Sequence, residues 1–184
     1  MPREPQLLPI RVIGDDILRR KAQKVEEFGQ ELLDFAADLT HTMYVRDGVG
    51  LAAPQTGSSR RVLVMDPYWS REGRKREPIV MVNPAILESE GLTEPEEGCI
   101  SLPGIYADVV RPSKVTVSYS DPQGNSHTLT LEGFPAVVFQ HEYDHLEGVL
   151  FIDRLSTIAR LKLRRKVKEL ESKAVDGVNI RGEE

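Results

Sequence analysis

Residues 140–148 read QHEYDHLEG, in which His141 and His145 lie four positions apart with Glu142 between them. On an α-helix, residues four apart share one face, so both imidazoles can point at a single metal ion. A carboxylate beside a metal ion can accept a proton from an attacking water and return it to the leaving group. The segment therefore predicts metal-assisted hydrolysis, without indicating the substrate.

The composition is that of an ordinary globular protein, with 40% hydrophobic and 29% charged residues in a chain of 184. A net charge of -5 argues against general binding to DNA, and no apolar run approaches the roughly 20 residues of a membrane helix. The N-terminus lacks the apolar stretch of a secretory signal. The single cysteine, Cys99, excludes an intrachain disulfide. We therefore expect a cytoplasmic protein with no membrane partner.

Helical and strand patterns occur in separate stretches of the chain. Apolar residues at spacings of three and four predict an amphipathic helix over 28–43. The metal motif follows Pro135, which is typical of a first helical turn, and its apolar flanks indicate that its helix is buried. A last helix is predicted from about Ser156 to about Lys173. β-rich runs with turn signals between them favour antiparallel strands at 61–66, 79–86, 114–121 and 127–133.

These patterns predict an α+β fold. We expect antiparallel β-sheets packed around a buried central helix that carries H-E-x-x-H, with an N-terminal amphipathic helix and a C-terminal helix. Residues 1–173 are expected to form a single domain, and residues 174–184 are expected to be a flexible tail.

A catalytic metal site usually has three protein ligands and one open position, so a third ligand is required. A metzincin would place a histidine at position 151, but that residue is Phe151. A thermolysin-like enzyme would use a downstream glutamate, for which Glu169 or Glu171 has a suitable spacing. Both lie among lysines and arginines in a charged helix, which indicates an exposed surface.

Three further residues remain as candidates for the third ligand. His41 lies off the apolar stripe of its helix and His127 follows a turn, so both are expected to be exposed. Cys99 lies in a loop at 94–104 that glycines and prolines bracket. A lone cysteine is more often a small buried hydrophobic residue than a ligand. Residue types alone therefore leave the third ligand open.

Three separated segments together resemble those of the peptide deformylase family: GVGLAAPQ at 48–55, EGCISLP at 97–103 and QHEYDHLEG at 140–148. They occur in the order of that family, and the likeness extends from about Ile10 to about Leu155. The resemblance implies a hydrolase that removes the formyl group from the N-terminal formyl-methionine of newly synthesised polypeptides and releases formate.

The resemblance also implies a set of site residues. Cys99, His141 and His145 would hold one divalent metal ion, expected to be Fe(II), although zinc, nickel or cobalt can occupy such a site. Glu142 would accept the proton of the attacking water and deliver it to the departing amine. N-formylmethionyl nascent peptides would be the substrates.

Further roles carry over from the same likeness. The Gln55 side-chain amide and the Ile100 backbone N–H would stabilise the oxyanion, and the main chain of Gly50 would contact the substrate. The family usually has leucine where this chain has Ile100, a change that leaves a backbone donor intact. The substrate methionine requires an apolar pocket, which position in the sequence assigns to Val49, Phe134, Val137 and Val138.

Two further expectations concern charged residues near the metal ligands and the basic C-terminal helix. Glu97 and Arg111 bracket Cys99, and Asp144 adjoins His145, so these charges are hypothesised to orient the metal ligands. The predicted C-terminal helix carries a dense basic face over 160–173. Similar bacterial enzymes dock such a helix on the ribosome, so ribosomal RNA is a candidate partner. A plain solvated helix surface is the alternative.

Overall fold

A computed structural model describes residues 2–182. It contains three α-helices and seven strands, in the order α1 (Gln30–Val45), β1 (Gly50–Ala52), β2 (Val62–Met65), β3 (Ile79–Glu90), β4 (Glu96–Cys99), β5 (Leu102–Asp108), β6 (Lys114–Ser120), β7 (Ser126–Glu132), α2 (Phe134–Leu146) and α3 (Thr157–Glu171). Short 3-10 turns lie at Asp16–Arg19, Ala53–Thr56 and Phe151–Arg154. The four predicted strand runs correspond to β2, β3, β6 and β7.

The strands form two antiparallel sheets. Five of them pair in the order β1-β2-β3-β6-β7, while β4 and β5 form a separate two-stranded sheet. The long strand β3 changes its register against β6 between Val82 and Ala85. Such irregularities bend a strand. The strand β3 pairs with β2 over residues 79–82 and with β6 over residues 82–90.

The helix α2 is buried against the five-stranded sheet, which confirms the predicted architecture. Its residues Ala136, Phe139 and Leu146 belong to a core cluster that also includes Leu63 and Met81 of neighbouring strands. The helix ends at Leu146. Gly148, two residues later, has a φ of 72°, and a β-carbon at this position would lie 2.7 Å from the Arg19 carbonyl oxygen. Only glycine satisfies both constraints, and this packing holds the end of α2 in place.

The other two helices pack at the periphery. The predicted stripe on α1 is buried at Leu32, Phe35, Leu39 and Met43, whereas Phe28 precedes the helix and is exposed. The helix α3 has no fully buried residue. Its half-buried apolar residues contact a core cluster formed by β5 and residues 12–18. These helix residues are Leu163, Val167 and Leu170. No helix within residues 2–182 is long and apolar enough to cross a membrane.

The segment around Cys99 differs from the loop expected at 94–104. Backbone pairing of Glu97 with Ala107 and of Gly98 with Tyr106 forms a hairpin, and Cys99 is the last residue of β4. The expectation failed because Gly98, Pro103 and Gly104 lie within the two strands, and the turn between the strands consists of Ile100 and Ser101. A hairpin fixes the position of the thiol more rigidly than a free loop would.

The segment after α3 also differs from the flexible tail expected at 174–184. Arg11 and Ile180 form an antiparallel bridge, and Asn179 is buried. The Asn179 side chain donates to two backbone carbonyls, so the segment gains polar partners that a composition-based expectation does not anticipate. Residues 183 and 184 lie outside the described residues.

Candidate active site

The helix α2 and the end of β4 bring the predicted metal ligands together. The donor atoms of Cys99, His141 and His145 all lie within 4.8 Å of one another. The Cys99 Sγ lies 3.4 Å from the His145 Nε2. Because residues four apart share a helix face, both imidazoles point toward the hairpin that carries the thiol.

The alternative third ligands lie elsewhere. Glu169 and Glu171 are exposed on α3, and the exposed His127 lies 2.8 Å from Asp121. His41 is half-buried on α1, not exposed as predicted. Within residues 2–182, Cys99 with the two α2 histidines is the one group of three such side chains whose donors meet.

Glu97 determines which nitrogen of His141 faces the site. The Glu97 Oε1 lies 2.9 Å from the His141 Nδ1. Burial alone would raise the pKa of Glu97, but hydrogen bonds from His141 and Arg111 lower it overall. The carboxylate therefore stays ionised and accepts the proton of Nδ1, which leaves Nε2 available as a metal ligand.

A buried charge network supports this arrangement. Arg111 is buried and donates to Glu97 through Nη2 at 2.9 Å and to Asp144 through Nη1 at 3.0 Å. Arg154 donates to Asp144 through Nη2 at 2.7 Å. Arg111 and Asp144 were expected here from the sequence, but Arg154 was not, because its 3-10 turn carries no pattern that indicates a partner on α2.

Glu142 is buried in the cavity beside the metal-ligand group. Its Oε2 has no hydrogen-bond partner among residues 2–182. Burial raises the pKa of Glu142 to about 7. Gly50 of β1 packs directly against it, since a β-carbon at position 50 would lie 2.8 Å from the Glu142 Cγ. A carboxylate with this pKa and an uncommitted oxygen is suited to accept and release a proton near neutral pH.

Gln55 is held in one orientation by its own 3-10 turn. Its Oε1 accepts a hydrogen bond from the Ala52 N–H at 2.9 Å, which turns the Nε2 toward the cavity. That Nε2 lies 3.4 Å from the Cys99 Sγ and 3.2 Å from the Ser101 Oγ. The amide therefore presents a donor beside the thiol. Ile100 follows Cys99 and is half-buried at the same edge.

A cavity of about 530 Å³ unites most of the predicted site residues. Its walls include Gly50, Gln55, Cys99, Ile100, His141 and Glu142, together with the four predicted pocket residues Val49, Phe134, Val137 and Val138. Val137 and Val138 are buried, whereas Phe134 is 40% exposed. The Tyr68 ring lies 5.8 Å from that of Phe134 and was not anticipated.

The donor set fits a divalent transition metal. One thiolate and two imidazoles, with a carboxylate alongside, match the ligand types that such ions accept in catalytic sites. The His145 Nδ1 is buried without a hydrogen-bond partner in the described part of the chain. Burial lowers the pKa of His145, so its imidazole is neutral, as a metal ligand must be.

Comparisons with known proteins agree with this geometry. Residues 7–161 match the family described as polypeptide deformylase. The chain is 41% identical over 166 residues to a peptide deformylase of Chlorobium limicola, covering 90% of each. It is 44% identical over 162 residues to that of Thermotoga maritima, covering 88% of this chain and 94% of the relative.

A solved structure extends the likeness to three dimensions. The crystal structure of peptide deformylase from Thermus thermophilus is similar with a TM-score of 0.84 and 42% identity, covering 92% of this chain and 100% of that one. The chain therefore belongs to the polypeptide deformylase family, metal-dependent hydrolases that remove the N-formyl group from newly synthesised polypeptides.

Proposed function

We propose that the cavity between β1, β4 and α2 is the deformylase active site, with N-formylmethionyl nascent peptides as its substrates. The proposal rests chiefly on the proximity of Cys99 to both His145 and Gln55. The Cys99 Sγ lies 3.4 Å both from the His145 Nε2 and from the Gln55 Nε2. One thiol therefore joins the metal-ligand group to a hydrogen-bond donor placed for an oxyanion.

Cys99, His141 and His145 would hold one divalent metal ion, which supplies Lewis-acid activation of water and of the formyl group when bound. Fe(II) is the proposed physiological ion, and zinc, nickel or cobalt suit the same thiolate and imidazole donors. Glu97 keeps the His141 Nδ1 protonated and so directs its Nε2 into the site.

Glu142 is the proposed proton carrier. Its Oε2 has no other hydrogen-bond partner in the described structure, so it can accept a proton from the attacking water and deliver it to the departing amine. A divalent ion nearby favours the ionised carboxylate and would lower the pKa from its metal-free value of about 7. The group then begins the reaction as a base.

Gln55 and Ile100 are the proposed donors to the tetrahedral oxyanion. The Oε1 of Gln55 is committed to the Ala52 N–H, so its amide cannot flip without losing that bond. A donor that is fixed before the substrate arrives needs no reorganisation as charge develops. The backbone N–H of Ile100 adds a second donor from the end of β4.

The substrate backbone is proposed to enter along β1. Among residues 2–182, this strand pairs with β2 on one side only, and it lies at the edge of the five-stranded sheet with Gly50 against Glu142. A free strand edge binds an extended peptide through main-chain hydrogen bonds. The methionine side chain would then contact Val49, Phe134, Val137 and Val138, which are apolar residues on the cavity wall.

The direct test is formate release from a formyl-Met peptide by anaerobically purified protein, with metal analysis of the same sample. The expected result is turnover that follows the bound metal. Glu142→Ala should keep the metal and the fold but lose nearly all turnover. Absence of formate from fully iron-loaded protein would overturn the proposal.

We also propose a cytoplasmic location for the enzyme. A further proposal is that α3 contacts the ribosome. Arg164, Arg165 and Lys168 are exposed on this helix, and no α3 residue is fully buried. Basic side chains bind RNA phosphates with steep salt dependence. Replacing these three with glutamate should abolish salt-sensitive cosedimentation with ribosomes. Cosedimentation that the replacement leaves unchanged would remove the ribosome contact.

A further inference from the structure

The cavity wall that leads into β1 is held by the loop that connects β2 to β3. The Trp69 Nε1 of this loop donates to the Gly48 carbonyl at 2.8 Å. The Asp66 N–H, at the start of the loop, donates to the Val49 carbonyl at 2.9 Å. Gly48, Val49 and Gly50 line the cavity, whereas Trp69 and Asp66 do not. The loop therefore supports the wall without lining the cavity itself.

The main-chain groups of Gly50 lie on the free edge of β1, which has one strand neighbour in the described part of the chain. The Asp66 N–H bonds to the Val49 carbonyl, and Leu51 pairs with Val64. In an antiparallel ladder, residues that bond to the partner strand alternate with residues whose N–H and C=O point the other way. Gly50 lies between Val49 and Leu51, so its N–H and C=O point away from β2. An extended peptide along this edge would bond to these groups.

Gly48 connects this edge to the end of α1. It has no side chain, so only its peptide groups can fix its position. Its N–H donates to the Met43 carbonyl at 2.9 Å, and its carbonyl accepts from Trp69. The preceding Asp47 has a φ of 56°, in the left-handed region that ends helices. The peptide groups on the two sides of Gly48 are thus held by different elements, one by α1 and the other by Trp69.

Trp69 is itself held by a cluster at the base of the loop. Its ring makes an edge contact with that of Tyr44, with centroids 5.1 Å apart. The Arg76 Cζ lies 5.1 Å from the Trp69 ring and 4.3 Å from the Tyr44 ring. The Tyr44 hydroxyl donates to the Asp66 Oδ2 at 2.5 Å, and the Glu77 N–H donates to the same oxygen at 2.8 Å. Both ends of the loop are therefore joined, which fixes the indole before a substrate arrives.

We propose that Trp69 is a positioning residue for the main chain of the substrate peptide, acting through Gly48 on the free edge of β1 at Gly50. The indole N–H fixes the carbonyl two residues before Gly50 and so sets the position of the groups that the peptide meets. Hydrogen bonds weaken steeply when their geometry departs from the optimum, so a small shift of this wall loses them. The inference rests on the proposed function, since it needs an extended peptide along β1.

The test removes a hydrogen-bond donor from the enzyme and from the substrate, singly and together. The parent substrate is a C-terminally amidated formyl-Met-Ala-Ser peptide. In two analogues, an ester oxygen replaces the N–H of the second or the third residue. We expect the wild-type kcat/KM to fall by about five- to tenfold for one of these analogues, because one hydrogen bond is lost.

Trp69→Phe keeps an aromatic ring against Tyr44 but lacks the N–H. Its kcat/KM on the parent peptide should fall by a factor similar to that of the ester in the wild type. The same ester should then cost this variant less than about twofold, because the two changes remove one shared interaction. Trp69→Leu, which also lacks the donor, should behave in the same way.

Two further variants separate positioning from general packing. In Trp69→His, the Nε2 lies as many bonds from the backbone as the indole Nε1 and can donate to the Gly48 carbonyl, so the ester penalty should return. Tyr44→Phe is the matched control, because it removes a hydrogen bond to Asp66 from the same cluster but leaves the Trp69 donor. It should keep the wild-type penalty, even where urea unfolding shows a loss of stability.

Three results would overturn this role of Trp69. The first is an ester penalty that Trp69→Phe and Trp69→Leu leave unchanged. The second is the absence of a penalty from the wild type at both substrate positions. The third is the loss of the penalty from Trp69→His and Tyr44→Phe alike, which would indicate general packing. Failure of the iron-loaded wild type to release formate from the parent peptide would instead refute the proposed function.

Discussion

Gly50 and Glu142 are packed so closely that no side chain fits between them. A β-carbon on Gly50 would lie 2.8 Å from the Glu142 Cγ and 2.9 Å from its Oε1. The backbone of β1 thus forms one wall around the proposed proton carrier. Position 50 requires glycine because of this contact, since its φ is not positive.

Replacing Gly50 with alanine should displace Glu142 while leaving the three metal donors in place. A misplacement of about 1 Å in a catalytic group lowers the rate by roughly 100-fold, so we expect kcat to fall by about that factor with metal content retained. Gly48→Ala is the matched control, because its nearest contact would be 3.4 Å. Wild-type kcat in Gly50→Ala would show that the Glu142 position is not critical.

Gln55→Ala should lower kcat by about 100- to 1000-fold, because it removes a preorganised oxyanion donor. Metal content should remain, since Gln55 is not among the three proposed donors. Gln140→Ala is the matched control: it also removes a buried, hydrogen-bonded side-chain amide, but Gln140 does not line the cavity. If both variants lose stability and activity in equal proportion, the role of Gln55 is structural.

The raised pKa of Glu142 predicts a pH-dependent stability in the metal-free protein. Its folded-state pKa of about 7 lies above the ordinary 4.5, so its contribution to stability is present below pH 4.5 and is lost as the pH rises through 7. The neutral variant Glu142→Gln avoids this loss. At pH 8 its free energy of unfolding should exceed that of the wild type by up to about 3 kcal/mol.

Urea unfolding of both metal-free proteins between pH 4.5 and pH 8 measures this difference. The gap between the two should open as the pH rises. Parallel curves across that range would show that the carboxyl of Glu142 is not desolvated in the folded protein.

Arg111 and Arg154 both donate to Asp144 but should differ in their effect on stability. Arg111→Ala leaves buried carboxylates on Glu97 and Asp144 with fewer partners, and such losses typically cost about 3–5 kcal/mol. Arg154 is 49% exposed, so Arg154→Ala should cost less than about 1 kcal/mol. Urea unfolding and metal analysis of both variants test this. Unchanged metal content and activity in Arg111→Ala would refute its support of the ligands.

The regular elements follow closely from sequence patterns, because each pattern is local. The apolar stripe at Leu32, Phe35, Leu39 and Met43 predicts α1, and β-rich runs predict four of the five strands of the main sheet. The fifth strand, β1, lies in a glycine-rich stretch that carries no strand pattern. Errors occur where backbone pairing between strands overrides local composition. Glycines and prolines around Cys99 read as a loop, but pairing between Glu97 and Ala107 makes a hairpin.

The sequence by itself determined the helix spacing of His141 and His145, the position of Glu142 between them, and the likeness to deformylases. These are properties of short segments, whose geometry follows from the 3.6-residue helical repeat. Tertiary structure alone decided that Cys99 meets the histidines, that Gly50 packs on Glu142, and that Trp69 donates to the Gly48 carbonyl. Such contacts join residues far apart in the chain, and their distances depend on how sheets and helices pack together.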